Sequence, residues 1–346
     1  MSYPGRPLTK SIIVCIVLIT IVSQIAAGHS WQWQQQAKIL APDGGPEDHF
    51  GYLVALDGHY GLITAHLSRS DADDIPRVGS VYIVRQDAGN WSLYDRLFPP
   101  LGESGDHFGA AVAISGQYAI IGADRDRVDG IESGSAYIFR RPDDTWILDA
   151  KLIPPDTLRD CDFGISVSID GNYAAVGAAK QGSPDPGSVY VFRRSPTEGW
   201  IPDDFNGLLP FGRLVPPDGQ PADAFRMVSI KKDRLIVGAY GHDKNGGASG
   251  AAYIFRRDPT RGWVADNVAA SEIPGKILAS DGQGGDHFGI SVAMDENRAA
   301  VGAWLDDNER GRNAGSVYVF EWDGQSWSQQ AKLLATDGAA NDHLGY

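Results

Sequence analysis

A chain of 346 residues with a formal charge of −14 is too acidic to seek nucleic acid or an anionic lipid surface. Its 42 glycines and 20 prolines leave little room for long helices, and two cysteines cannot build a disulfide framework. Stability therefore has to come from packing.

Residues 1–28 read as a signal peptide. Arg6 and Lys10 are its only charges, Ser11 to Ala27 is almost wholly apolar, and Ala26-Ala27-Gly28 forms a small-residue cleavage site. The apolar run also approaches spanning length, so an uncleaved signal anchor is the alternative. Cys15 follows the bulky Val14 and does not read as a lipid attachment site. Export places the protein outside the cell or on its surface (in the periplasm of a double-membrane bacterium), with no membrane insertion after cleavage. Cys161 is then alone and reads as a packed residue.

From Asp48 onward one pattern recurs: Asp-His-Phe-Gly, an apolar run, Gly-Ala, Gly-Ser-x-Tyr-x-Phe, and a Trp. Its Phe falls at Phe50, Phe108, Phe163, Phe225 and Phe288, with Leu344 in a sixth copy that runs only to Tyr346. The units span about 42–96, 97–151, 152–213, 214–276 and 277–332, with a partial unit at 333–346. Each divides at turn signals into four short segments without helical periodicity. Segments one and two, such as Phe108–Ile114 and Tyr118–Ala123, are joined by tight links such as Ser115-Gly116-Gln117. Segment three, such as Gly187–Phe192, is apolar on both faces, as in a sheet covered on both sides. Segment four runs from a Trp to Lys or Arg, as in Trp146–Leu152 and Trp327–Leu334.

Four-stranded antiparallel sheets that stack on their neighbours give an all-β fold, a β-propeller, over residues 29–346. The Gly-Ala pairs, such as Gly177-Ala178 and Gly302-Ala303, predict close approach between blades, and the phenylalanines predict filled seams. Arg226 replaces the motif Gly in the fourth unit and Thr64 replaces Gly in the first, so those blades are expected to be less regular. Trp33–Leu40 matches Trp327–Leu334 and reads as a lone fourth strand. Five quartets plus these ends suggest a fragment or a truncated reading frame; a five-bladed closure is the alternative.

Phe108-Gly109 with Gly122-Ala123, and Phe288-Gly289 with Gly302-Ala303, resemble the FG-GAP repeat, the blade of integrin α-subunit propellers and of many bacterial exported proteins. The resemblance covers residues 33–346. It implies a seven-bladed whole and a recognition or adhesion module whose partner is an extracellular protein or glycan. The motif marks a blade and not a reaction. The alternatives are a propeller-fold hydrolase or lyase with acids near the axis, or a structural piece of a larger extracellular protein.

No catalytic residue is assigned. Asp106, His107, Phe108 and Gly109, with Asp286, His287, Phe288 and Gly289, recur at one blade position and read as structure, the Asp residues as turn acceptors. No cofactor is required by any motif. Calcium is the one candidate ion: alternating oxygens at Asp124, Asp126 and Asp129 could wrap it. Integrin-type repeats carry their calcium loop between the first two strands, and here that link is only a few residues long. Two units are longer between Trp and the basic residue, Trp200–Arg213 and Trp263–Lys276. Their extra residues, among them Phe205, Leu208, Leu209, Phe211 and Val268, are the candidate partner-contact patch at 201–212 and 264–275.

Overall fold

The computed structural model describes residues 35–45, 47–69, 75, 77–155, 161–178, 185–204, 210–269 and 271–346. The leader at 1–28, Trp33 and the candidate contact residues Phe205, Leu208 and Leu209 lie outside these. Among the described residues, no helix is long and apolar enough to cross a membrane. The chain divides into two compact units, Met1–Gly109 and Ala110–Tyr346.

The first unit holds one antiparallel sheet of β1 (Val54–Asp57), β2 (Tyr60–Ala65), β3 (Ser80–Asp87) and β4 (Asn90–Leu97), in that order. The turn between β1 and β2 is made at Gly58, whose φ of 56° is open to glycine at little cost. β2 is buried along its whole length. Ile39, Ile63, Ala65, Tyr82 and Val84 form the core, with Phe50 and Trp91 packed on it.

The second unit holds four more such sheets. The first is β5 (Ala111–Ser115), β6 (Tyr118–Ala123), β9 (Ser135–Arg140) and β10 (Ile147–Leu152), with a small hairpin of β7 (Arg127–Val128) and β8 (Ile131–Glu132) between β6 and β9. The next contains β11 (Ser166–Asp170), β12 (Tyr173–Ala178), β13 (Ser188–Ser195), β14 (Gly199–Pro202) and β15 (Arg213–Leu214). Then come β16 (Phe225–Lys231), β17 (Arg234–Ala239), β18 (Ala251–Asp258), β19 (Gly262–Ala265) and β20 (Lys276–Ile277), and last β21 (Phe288–Met294), β22 (Arg298–Ala303), β23 (Ser316–Trp322) and β24 (Trp327–Leu333). The expectation of all-β, four-stranded antiparallel blades holds, and we number the blades one to five in chain order.

In the long units the fourth strand is broken in two. β14 and β15 both pair with β13, and β19 and β20 both pair with β18. The extra residues thus fall between two short strands that share one partner.

Inside the second unit the Phe-Gly and Gly-Ala signals meet at the seams. A Cβ on Gly122 would lie 1.9 Å from the Gly164 carbonyl oxygen, one on Gly177 2.0 Å from that of Arg226, and one on Gly238 2.0 Å from that of Gly289. No side chain fits there, so at these glycines the second strand meets the next blade through backbone alone. The Phe beside this contact is fully buried. Phe163 packs 5.5 Å from Tyr190, Phe225 5.5 Å from Tyr253, and Phe288 5.4 Å from Tyr318. Each ring contributes about 1.5–3 kcal/mol of burial. The core around Phe163 also contains Ile120 and Ile138 of the preceding blade, so the ring closes the seam as expected.

Serines sew the first strands together. Ser166 and Ser168 accept from the amides of Val228 and Ile230 at 3.1 and 3.0 Å, and Ser229 accepts from Met294 at 3.0 Å. The register of β16 on β17 shifts between Phe225 and Met227, but that of β21 on β22 shifts between Phe288 and Ser291, where the motif Gly289 is kept, so the irregularity expected of the Arg226 unit is not peculiar to it. In the first blade Thr64 takes a useful role, its hydroxyl accepting from the Leu53 amide at 3.0 Å.

Candidate functional site

The repeated Asp-His pairs sit in one turn. Asp48, Asp106, Asp223, Asp286 and Asp342 each accept the amide three residues earlier, at 2.6–2.7 Å. The following residue adopts a left-handed backbone: φ is 54° at His49, 58° at His107, 55° at His287 and 58° at His343. Asp162 and Ala224 hold the same place at 49° and 55°. An imidazole is therefore not needed to make the turn. Asp286 is almost wholly buried, and desolvation, reinforced by Asp306 and Asp307 against the Gln283 amide, pushes its carboxyl up to about 6.

A second recurrent arrangement, an interior node, lies within blades one, two, four and five and joins residues far apart in sequence. In blade five Lys332 Nζ is 2.7 Å from Asp281 and 2.9 Å from Asp306. Tyr318 donates to Asp281 at 2.8 Å, and Ser316 donates to Asp306 at 2.5 Å. Although burial opposes it, the two carboxylates raise the affinity of Lys332 for its proton. Blade four has Lys276, Asp218 and Tyr253 in the same places, with Lys276 Nζ 2.7 Å from Asp218. There His242 replaces the second acid, its Nε2 2.9 Å from Lys276 Nζ, and Ala251 replaces the serine. Blade two keeps the second acid, Asp126, bound by Tyr137 at 2.6 Å, by Lys151 at 2.8 Å and by Ser135. Blade one keeps the first, Asp43, bound by Tyr82 at 2.6 Å and by Arg96.

This places the candidate calcium residues. Asp126 is turned into its blade, with its carboxylate engaged by three side chains. Asp129 is exposed at the tip of the β7–β8 hairpin with a φ of 52°. Among the described residues no three His, Cys, Asp or Glu side chains are grouped to hold a metal ion.

A third arrangement crosses the outer strands. Trp200 donates to Asp149 of the preceding blade at 3.0 Å, Trp263 to Asp203 at 3.0 Å, and Trp327 to Asp266 at 2.9 Å. Arginines close each carboxylate: Arg140 on Asp149, Arg193 and Arg257 on Asp203, Arg234 and Arg256 on Asp266. The signal was in the chain as Trp-x-x-Asp, but one sequence does not reveal that the Trp answers the Asp of its neighbour.

Of the candidate contact patch, Phe211 is 48% exposed, at a φ of 60° in the short turn Pro210–Gly212. Val268 is half-buried and pairs with Trp327 of blade five, where the Ala269 amide donates to the Trp327 carbonyl at 2.9 Å. The excursion after β19 thus extends the neighbouring blade's outer edge, and its backbone is engaged within the molecule.

The FG-GAP repeat family model matches residues 33–84, 91–139, 146–192, 211–255 and 274–320. Three segments start on the Trp of one unit, and those at 211 and 274 start just ahead of the basic residues Arg213 and Lys276; each stops on the third strand of the next unit, the same period offset by one strand. No curated protein matches the chain.

Proposed function

Because the chain belongs to the FG-GAP repeat family, we propose that it is an exported, non-catalytic recognition module whose partner is an extracellular protein or glycan. One observation carries this reading. The repeat's acids, lysines and tyrosines are engaged with one another in turns, nodes and seams, where they hold blades together. A catalytic acid or base needs an open path to substrate. The repeated carboxylates described here face amides, hydroxyls and cations of their own chain. Family membership favours a binding surface built on this scaffold. The leader at 1–28 favours action outside the cytoplasm.

The test is to present the chain, expressed with its own N-terminus, to arrays of matrix proteins and glycans. Saturable binding with ligand recovered chemically unchanged is expected; a product formed from the ligand would overturn the reading. The mass of exported protein reports whether the leader is removed after Gly28. Calcium is tested by melting in EDTA and in millimolar calcium: equal midpoints remove it as a structural ion.

A further inference from the structure

Blades four and five carry aromatic rings that the turn does not require. The motif residue His287 and the residue after each Gly-Ala pair, Tyr240 and Trp304, stand at successive seams of one face. Tyr240 lies 5.7 Å from His287, His287 6.1 Å from Trp304, and Trp304 4.9 Å from His343. The corresponding seam between blades two and three has Asp124 and Asp162, in the same turn with the same left-handed backbone. The scaffold thus forms without the rings. Rings also stand at these positions in the first unit, where His66 lies 5.2 Å from His49 and 5.9 Å from His107, so ring rows occupy two stretches of the chain and need a reason other than the turn.

Their geometry supplies one. Trp304 Nε1 donates to His287 Nδ1 at 3.0 Å, and the two rings are tilted by only 31°. A hydrogen bond from indole to imidazole lies in both ring planes, so the pair forms one gently bent plate. The bond fixes the pair and satisfies the indole edge; Arg226 stands 5.5 Å over the Tyr240 ring, and Tyr346 lies 5.1 Å from the Trp304 ring. All four rings are half-buried, so little ordering is left to a ligand. Polar groups stand at both ends. Arg226 donates to the Tyr240 hydroxyl at 2.8 Å. Beyond Trp304, the His343 amide donates to the Asn313 carbonyl, and the Asn313 side chain donates to Asn341 at 3.3 Å.

We propose that Tyr240, His287, Trp304 and His343 form a binding surface for a neutral sugar chain, a reading that rests on the recognition function above. The bent His287–Trp304 plate, flanked by Tyr240 and His343 inclined to it by 54° and 66°, offers π-faces to the axial C–H groups of a pyranose, and amide and guanidinium groups at its ends suit hydroxyls. A chain of charge −14 disfavours a polyanionic glycan. Burial lowers the affinity of His287 for a proton, which keeps the plate uncharged at neutral pH.

The experiment titrates the full chain with hexaoses of glucose, mannose, galactose and N-acetylglucosamine, with a heparin hexasaccharide and tetramethylammonium as comparators. Binding to at least one neutral hexaose is expected, at least ten-fold weaker in Trp304→Ala and in Tyr240→Ala, and unchanged in Leu148→Ala, an exposed position of the second blade outside both candidate surfaces. Should Trp304→Ala fail to fold, Trp304→Phe keeps a ring but loses the bond to His287 and should weaken binding measurably with an unaltered melting point. Absence of binding to every neutral hexaose, equal binding by the ring variants, or retention only of heparin or tetramethylammonium overturns the proposal. Cleavage of a hexaose that depends on Trp304 would support the ring surface while overturning the non-catalytic reading.

Discussion

Blades four and five share the order of their first three strands and their seam geometry, yet fill the same interior node differently. Blade five sets one lysine between two carboxylates, Asp281 and Asp306. Blade four sets its lysine between one carboxylate, Asp218, and His242. The constant parts are the tyrosine and the lysine; the acid opposite them varies. The repeat therefore preserves a cation packed against a phenol and adjusts the local charge through a residue placed after the second strand.

The largest effect should come from removing that cation. Lys332→Met leaves two carboxylates facing each other, Asp306 deeply buried, and should cost about 3–5 kcal/mol. Lys276→Met leaves only the half-exposed Asp218 beside an imidazole and should cost about 1–3 kcal/mol. Urea unfolding of both variants measures the difference, and equal losses would break the comparison.

The outer lattice should not distinguish the blades. Trp263→Phe and Trp327→Phe each remove one donor from a buried carboxylate that keeps two arginines. Each should lose about 1.5–3 kcal/mol, and the two losses should agree. A marked inequality would show that the 264–275 excursion, whose Asn267, Val268 and Ala269 pair with Trp327, carries part of the load.

The strands, the seams and the turn role of the Asp-His pairs were legible because each is written in neighbouring residues and repeated. The nodes were not. Asp281 precedes the Phe-Gly motif, Asp306 follows the second strand, Tyr318 lies on the third and Lys332 on the fourth. A clue existed in Asp43, Asp218 and Asp281, which hold one place ahead of each motif, and in Leu101, which interrupts it. The pairing of Val268 was not legible either, because an open strand edge pairs with the nearest edge available, and for Val268 that edge is blade five.

Acidity gives a third contrast. The ordinary aspartate value is near 4 and that of folded Asp286 about 6, so between these the folded state holds more protons than the unfolded one. Stability from this group is present below pH 4 and is lost as pH rises to 6, by roughly 1–2 kcal/mol after allowance for partial screening. Asp286→Asn still accepts the Gln283 amide and cannot ionise, so it should flatten that part of the profile. Asp223 is also pushed up by burial, but His242 beside it acts in the opposite direction. Asp223→Asn should flatten the profile less. Melting points from pH 4 to 7 decide this, and an Asp286→Asn profile as steep as that of the unaltered chain would remove Asp286 as the source.

The smallest effects test whether the acid and the serine of the node form a pair. Ser316 donates to Asp306 in blade five, and blade four has lost both partners, with His242 and Ala251 in their places. If the two positions are coupled, Ala251→Ser alone buries a hydroxyl at a site with no acid to receive it and should cost about 1 kcal/mol. His242→Asp alone puts a second carboxylate beside Lys276 without its serine. The double variant rebuilds the blade-five arrangement and should recover about 1 kcal/mol relative to the sum of the singles, a coupling that a double-mutant cycle isolates. Strict additivity would mean that serine and acid were lost from blade four independently. The node would then be a lysine and a tyrosine with interchangeable neighbours, and the contrast between the two blades would reduce to the charge on one side chain.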